Sequence, residues 1–197
     1  MRLVVDTCIY CSSTNNKCNP HTNAQRSRAI LELIYNQNHT IVISPELERE
    51  YKDNFSSFGY DWYAEMRKAG KVQLIEDHLN IQLRNELQYG VCLVFSRDGK
   101  DKIRSVWREI DRDIHLIEVA LLTDNAVISD ELVCYENIRS LTVEESIHSI
   151  FHLLRSIKWI IPENCIDFLE ELSSWLKGEE DHPCSWFLLN GTGICCE

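Results

Sequence analysis

Acidic residues stand directly behind several short apolar runs of this chain. Asp6 follows Leu3-Val4-Val5. Glu46, Glu48 and Glu50 follow the run that ends at Ile43. Asp113 opens an apolar segment, and Asp130 follows Ala126 to Ser129. Taken singly, each has an ordinary reason to be there, because Asp caps helices and Glu favours first turns. Taken together they point to chemistry. Carboxylates gathered at one spot raise each other's pKa unless a cation sits between them. Mg²⁺ or Mn²⁺ suits such a site, since both take hard oxygen ligands and keep waters in their shell. A site of that kind can activate water and clamp a phosphodiester, so phosphoryl-transfer hydrolysis is the expected reaction class.

The elements that must position these acids read as alternating strands and helices. Arg2 to Val5 is a β-branched buried strand, and Ser12 to Asn23 is a polar loop. Ala24 to Asn36 is a helix carrying Ala29, Ile30, Leu33 and Ile34, and His39 to Ile43 is a second strand. Strand, helix, strand is the signature of a parallel α/β sheet flanked by helices. Ser44 and Pro45 supply an N-cap and a first helical residue for Glu46 to Phe55. Asp61 to Ala69 reads as a helix ended by Gly70, and Lys71 to Ile75 as a strand. Leu79 to Gln88 and Lys102 to Ile110 are helix candidates. Asp113 to Leu122 is apolar on nearly every side and suits a helix wedged against a sheet. Ala126 to Ser129 is the next strand. Beyond it the pattern predicts helices to about Glu136 and over Val143 to Ser156, a strand at Lys158 to Ile161, and a helix over Ile166 to Lys177. The stretch from Gly178 reads as a Cys-containing tail.

In an open parallel sheet the ligand site lies outside the carboxyl ends of the strands, which is where these acids fall. The chain has 197 residues, 20 Lys plus Arg against 31 Asp plus Glu, and a net charge of -11. Its length suits one domain with a small appendage, divided here as residues 1-160 and 161-197. The acid excess argues against unspecific adsorption to nucleic acid, while leaving room for a locally basic channel. No apolar run approaches a bilayer span, and the N-terminal run is too short for a secretory signal, so a cytoplasmic protein without a membrane partner is expected. Nine Cys, an odd number, read mostly as free thiols.

Four segments together resemble the PIN-domain nucleases: Leu3-Val4-Val5-Asp6-Thr7; Ile43-Ser44-Pro45 with Glu50; Asp113-Ile114-His115-Leu116-Ile117-Glu118-Val119-Ala120; and Val127-Ile128-Ser129-Asp130. Their order and rough spacing cover about residues 1-160. The resemblance implies a three-layer fold with a central, mostly parallel sheet, and a Mg²⁺- or Mn²⁺-dependent endoribonuclease. It implies Asp6, Asp113 and Asp130 as metal ligands, with Asp113 at the start of its helix. It also implies Glu50 as the acid of the second helix, and Thr7 and Ser129 as supporting hydroxyls. Many members of the family are toxins, so it brings expectations of an RNA substrate, an antitoxin or other inhibitory protein, and a homodimer. The chain departs from the pattern at Cys8, a position often held by Asn, and in the turn Thr123-Asp124-Asn125. A catalytically silent module that binds a protein or RNA partner is the alternative.

Other constellations compete less well. Cys8, Cys11, Cys18 and His21 have the C-x2-C-x6-C-x2-H spacing of a tetrahedral zinc site. His182, Cys184, Cys195 and Cys196 match no compact ligand pattern, and no glycine-rich phosphate loop follows a strand. For substrate grip, Arg104 and Arg108 with Trp107 could pair phosphates and stack a base, and Arg26 and Arg28 are secondary candidates. The interspersed acids Asp98, Asp101, Glu109 and Asp111 equally describe a solvated helix face.

Overall fold

The structure, a computed structural model, describes residues 1-13, 23-54, 56-76, 80-142, 153-162, 168-179 and 187-188. Five short parallel strands form its centre: β1 (Arg2–Val5), β2 (Thr40–Ile43), β3 (Val72–Leu74), β4 (Ala126–Ile128) and β5 (Lys158–Ile160). A sixth, β6 (Phe187–Leu188), pairs antiparallel with β5, giving the order β3-β2-β1-β4-β5-β6. Leu3 pairs with Ile41, Val5 with Ile128, and Ile128 with Ile160. The inner strands β1, β2 and β4 are Val, Ile, Leu and one Ala over their buried lengths, wholly apolar as parallel strands covered on both faces must be.

The helices are α1 (Thr7–Ser12), α2 (Asn23–Asn36), α3 (Pro45–Asp53), α4 (Ser57–Lys68), α5 (Ile81–Val94), α6 (Lys100–Leu121), α7 (Leu132–Thr142) and α8 (Phe168–Leu176). One set, α5, α6 and α7, packs together, with α6 also on β1 and β4. Another, α1, α4 and α8, gathers on α2. The fold is α/β, three layers with a mostly parallel sheet, as the strand-helix alternation required. Among the described residues no helix is long and apolar enough to cross a membrane.

Local chemistry accounts for most boundaries. The Ser44 hydroxyl accepts from the Leu47 amide at 3.2 Å with Pro45 in the first turn of α3. Gly70, at φ +70°, takes the left-handed step that ends α4. In the turn Thr123-Asp124-Asn125, Asn125 adopts φ 58°, and the Asp124 carboxylate accepts from Arg2 at the backbone amide (2.8 Å), Nε (3.1 Å) and Nη2 (2.9 Å). That turn pins the start of β1 beside β4.

Four expectations are corrected. Lys102 to Ile110 and Asp113 to Leu122 are one continuous helix, α6, so Asp113 lies in its interior and not at its start. Ile103, Val106, Ile110, Ile114 and Ile117 keep one apolar stripe across the supposed break, and no Gly or Pro interrupts it. The helix expected over Leu79 to Gln88 runs on to Val94, as α5. Thr7 to Ser12 forms a short helix capped by Asp6, whose side chain accepts from the Cys8 amide, where the chain was expected to run straight into a loop. The region after Gly178 includes β6, and α8 contributes Phe168, Leu172, Trp175 and Leu176 to the common core. The helix expected over Val143 to Ser156 lies largely outside the described residues, as do Cys18, His21 and the Cys-containing tail.

Candidate active site

The strand order runs outward from β1 to β2 and β3 in one direction and to β4 and β5 in the other. The crevice at the carboxyl ends of β1 and β4 is therefore the topological switch point, where open α/β sheets bind ligands. Asp6 and Asp130 flank it. The register Val5 to Ile128, with the Asp6 amide donating to Ile128 O at 2.9 Å, places the residues after the two strands side by side.

Asp6 is buried. Its carboxylate accepts from the Ser129 hydroxyl at 2.5 Å, from the Cys8 thiol at 3.1 Å and from the Cys8 amide at 3.3 Å. Burial pushes its pKa up and the charge of Asp113 pushes it further, against the pull of these donors. The Asp130 pKa is also raised, by burial and then by Asp6, with Arg26 opposing. The Asp130 amide donates to Cys8 Sγ at 3.1 Å. Cys8, the residue that departs from the PIN pattern, thus bridges the two strand ends. Its own thiol is pushed well above the ordinary range by burial and by Asp6.

Asp113, buried on α6, is gripped by its neighbour Arg112, whose Nε and Nη2 donate to the two carboxylate oxygens at 3.1 Å each. Arg112 also lies 3.2 Å from both Glu109 and Glu131. Its guanidinium is the resident counter-cation of this cluster.

Glu50 heads a separate arm. The Thr7 hydroxyl donates to its Oε2 at 2.9 Å, and His115 Nε2 lies 3.5 Å from the same oxygen, at ion-pair distance without hydrogen-bond geometry. Burial would raise the Glu50 pKa, but His115, Thr7 and Arg49 together hold it below its ordinary value. For His115 burial pulls down, and Glu50 with Glu46 and Asp6 outweighs it. Both shifts favour a charged pair.

The structure therefore sets Asp6, Asp130 and Asp113 in one electrostatic neighbourhood, with Ser129 on Asp6 and Thr7 on Glu50. Their donors are carboxylate oxygens, the chemistry that Mg²⁺ and Mn²⁺ require. Burial chiefly raises the pKa values of Asp6 and Asp130, and a neighbouring carboxylate adds to each a repulsion that a cation would relieve. They are not drawn into a closed cage: among the described residues no group of three or more His, Cys, Asp or Glu side chains stands ready to hold a metal ion.

No family model matches the chain. No curated protein matches it either.

The remaining expected contacts are placed as follows. Arg26 donates to Pro162 O at 3.1 Å and faces the Asp130 charge. Arg28 donates to Ser13 O at 2.6 Å and lies over the Phe58 ring, ties that hold α2. On α6, Arg104 is exposed beside Asp101 and Arg108 is exposed, whereas Trp107 is partly buried against the core. Of the zinc spacing, Cys11 donates to Asn54 O and Cys8 serves Asp6.

Sequence reasoning overlooked the clamp. Arg112 belongs to a run of basic residues that reads as substrate grip, and Glu131 is simply the residue after Asp130. The available signal was adjacency, since each sits next to an expected acid.

Proposed function

We propose that this protein is a metal-dependent endoribonuclease of PIN type, hydrolysing RNA phosphodiesters at the crevice between β1 and β4. The observation that carries this reading is the pairing of Asp6 and Asp130 at the switch point, with Asp113 of α6 close enough to raise the Asp6 pKa. Asp6, Asp113 and Asp130 would hold Mg²⁺ or Mn²⁺. A divalent ion would supply Lewis acidity toward water and the scissile phosphate.

The chain's own residues do the rest. The Ser129 hydroxyl and the Cys8 amide and thiol orient the Asp6 carboxylate. Glu50, kept ionised beside His115 and steadied by Thr7, would complete the site or orient the attacking water. Arg112 offsets the local charge that would otherwise repel a polyanion. Arg26, at the Asp130 side, and the exposed Arg104 and Arg108 supply cations for the phosphate backbone.

The test is cleavage of single-stranded and structured RNAs by purified protein with Mn²⁺, with Mg²⁺ and with chelator, alongside Asp6→Asn. Cutting that needs metal and is lost in the variant supports the reading. Cutting by Asp6→Asn at the wild-type rate would overturn it.

The Arg112 fork on Asp113 favours a second reading, a catalytically silent PIN-fold module that binds a protein or RNA partner. It requires partner binding that survives neutralising the acids and adding chelator. Under the nuclease reading, a toxin role would bring an antitoxin or other inhibitory protein over the acids, and a homodimer would follow the family's habit.

A further inference from the structure

On the β2 and β3 side of the crevice, a cavity of about 350 Å³ opens between the first turn of α3, the end of β3, α5 and the last turns of α6. Its volume lies in the range of small-molecule sites, about 300 to 1,000 Å³. His115 lines it and lies 3.5 Å from Glu50, so the cavity adjoins the Glu50 arm.

Its floor is locked. The Glu118 carboxylate accepts from Arg84 Nε at 2.9 Å and Nη2 at 2.8 Å and from the Asn80 amide at 2.9 Å, so neither Arg84 nor Glu118 is available to a ligand without breaking a buried pair. Pro45, Ile75 and Leu122 give it apolar wall surface. At its rim Glu46 and Arg49, one turn apart on α3, form a loose contact of 3.7 Å with side chains 41% and 69% exposed. These two are the polar groups free to turn toward an occupant.

The charges around the cavity nearly balance, with Glu46 and Glu118 against Arg49 and Arg84, and the His115 imidazolium against its partner Glu50. A phosphate would meet two carboxylates and find one guanidinium already engaged. A flat, neutral group with donors on one edge and acceptors on another matches the lining better, and a nucleobase is such a group. We propose that this cavity is the subsite for the base of a nucleotide adjoining the scissile phosphate, and that Glu46 and Arg49 select guanine there. Guanine presents N1–H and N2–H₂ to a carboxylate and O6 and N7 to a guanidinium. Adenine has an acceptor at N1, which faces the Glu46 carboxylate without a proton between them. Reading an unpaired base in this way is the usual mode of sequence-specific RNA recognition. The placement beside the scissile phosphate rests on the nuclease reading, whereas the base preference stands on the cavity alone.

The test measures binding of GMP, AMP, CMP and UMP to the full chain by calorimetry without added metal, for wild type and Glu46→Gln, with circular dichroism and melting to show that the variant folds. GMP is expected to bind at least about tenfold more tightly than the others, because its hydrogen-bonding edge is matched and theirs leave polar groups unpaired. Glu46→Gln is expected to remove that preference while leaving AMP within twofold. Equal affinities, no binding of any nucleotide, or a GMP preference untouched in Glu46→Gln each overturn the proposal. In parallel, RNAs differing at one base are incubated with protein and Mn²⁺. Cleavage with no dependence on guanine removes the subsite and leaves the nuclease reading standing. Selective GMP binding with no cleavage of any RNA removes the nuclease reading and leaves the guanine pocket standing.

Discussion

The Ser129 hydroxyl donates to the Asp6 carboxylate at 2.5 Å across 123 positions of sequence, tying the end of β4 to the end of β1. Its oxygen also accepts from the Glu131 amide at 3.0 Å, so one small side chain orients an acid and shapes the loop that carries Asp130. Removing it in Ser129→Ala leaves a buried acceptor and an amide short of a partner, at a cost of about 1 to 3 kcal/mol. Denaturant unfolding is expected to show that loss. An unchanged midpoint would mean that water replaces the hydroxyl at no cost.

Asp6→Asn should separate stability from activity. The folded-state pKa of Asp6 lies above its ordinary 3.8, so the fold prefers it protonated, and its ionised form costs stability at neutral pH. Asn removes that cost: its Oδ1 can still accept from the Cys8 amide while its Nδ2 donates to the Ser129 oxygen. In metal-free buffer near pH 7 the variant is expected to melt a few degrees higher, each 1 kcal/mol being worth about 2 to 4 °C at this size, and to lose cleavage. The stability gain should shrink as the pH is lowered toward 4. A lower melting temperature for the variant near neutrality would refute the argument.

Arg112 acts as the counter-cation for Asp113, Glu109 and Glu131. Because it is half exposed, Arg112→Ala should destabilise the metal-free fold by no more than about 1 kcal/mol. The same change leaves Asp113 uncompensated, so Mn²⁺ should stabilise the variant more than wild type in thermal melts. Equal Mn²⁺ shifts in the two proteins would remove Arg112 from that role.

His39 supplies a pH dependence away from the site. Burial, the N-terminal ammonium and Lys71 lower its pKa from 6.5 to about 4, and its Nδ1 lies 3.1 Å from that ammonium. The folded protein keeps it neutral while the unfolded chain takes up a proton. The contribution is therefore complete above pH 6.5 and is lost as the pH falls from 6.5 to about 4, by roughly 1 to 3 kcal/mol. Comparing denaturation at pH 7 and pH 5 for wild type and His39→Asn should show a shallower loss in the variant. Parallel losses would assign the slope to other groups.

Gly59 is required by a close approach. A Cβ there would lie 2.7 Å from Ser56 Oγ and 2.9 Å from the Tyr10 ring, which stacks on Tyr51 with centroids 4.3 Å apart. Gly59→Ala is expected to cost about 1 to 3 kcal/mol through overpacking, although Ala is the better helix former. A melting temperature equal to wild type would show that the Tyr10 ring yields freely.

The sequence by itself determined the layered α/β architecture, because alternating β-branched runs and helical stripes can bury their apolar faces in few other ways. Ser44, Pro45 and Gly70 similarly declared the start of α3 and the end of α4 through local backbone chemistry that needs no distant partner. The acids at the strand ends were legible as a set, since parallel strands bring their carboxyl ends to one side. Only the tertiary structure decided what surrounds them. The Cys8 bridge and the Glu50 arm with Thr7 and His115 depend on how β1, β4, α3 and α6 are set against one another. The cavity lined by Glu46, Arg49 and His115 likewise exists only where α3, α5 and α6 meet the end of β3. Packing sets such distances between residues dozens of positions apart, and neither periodicity nor spacing along the chain encodes them.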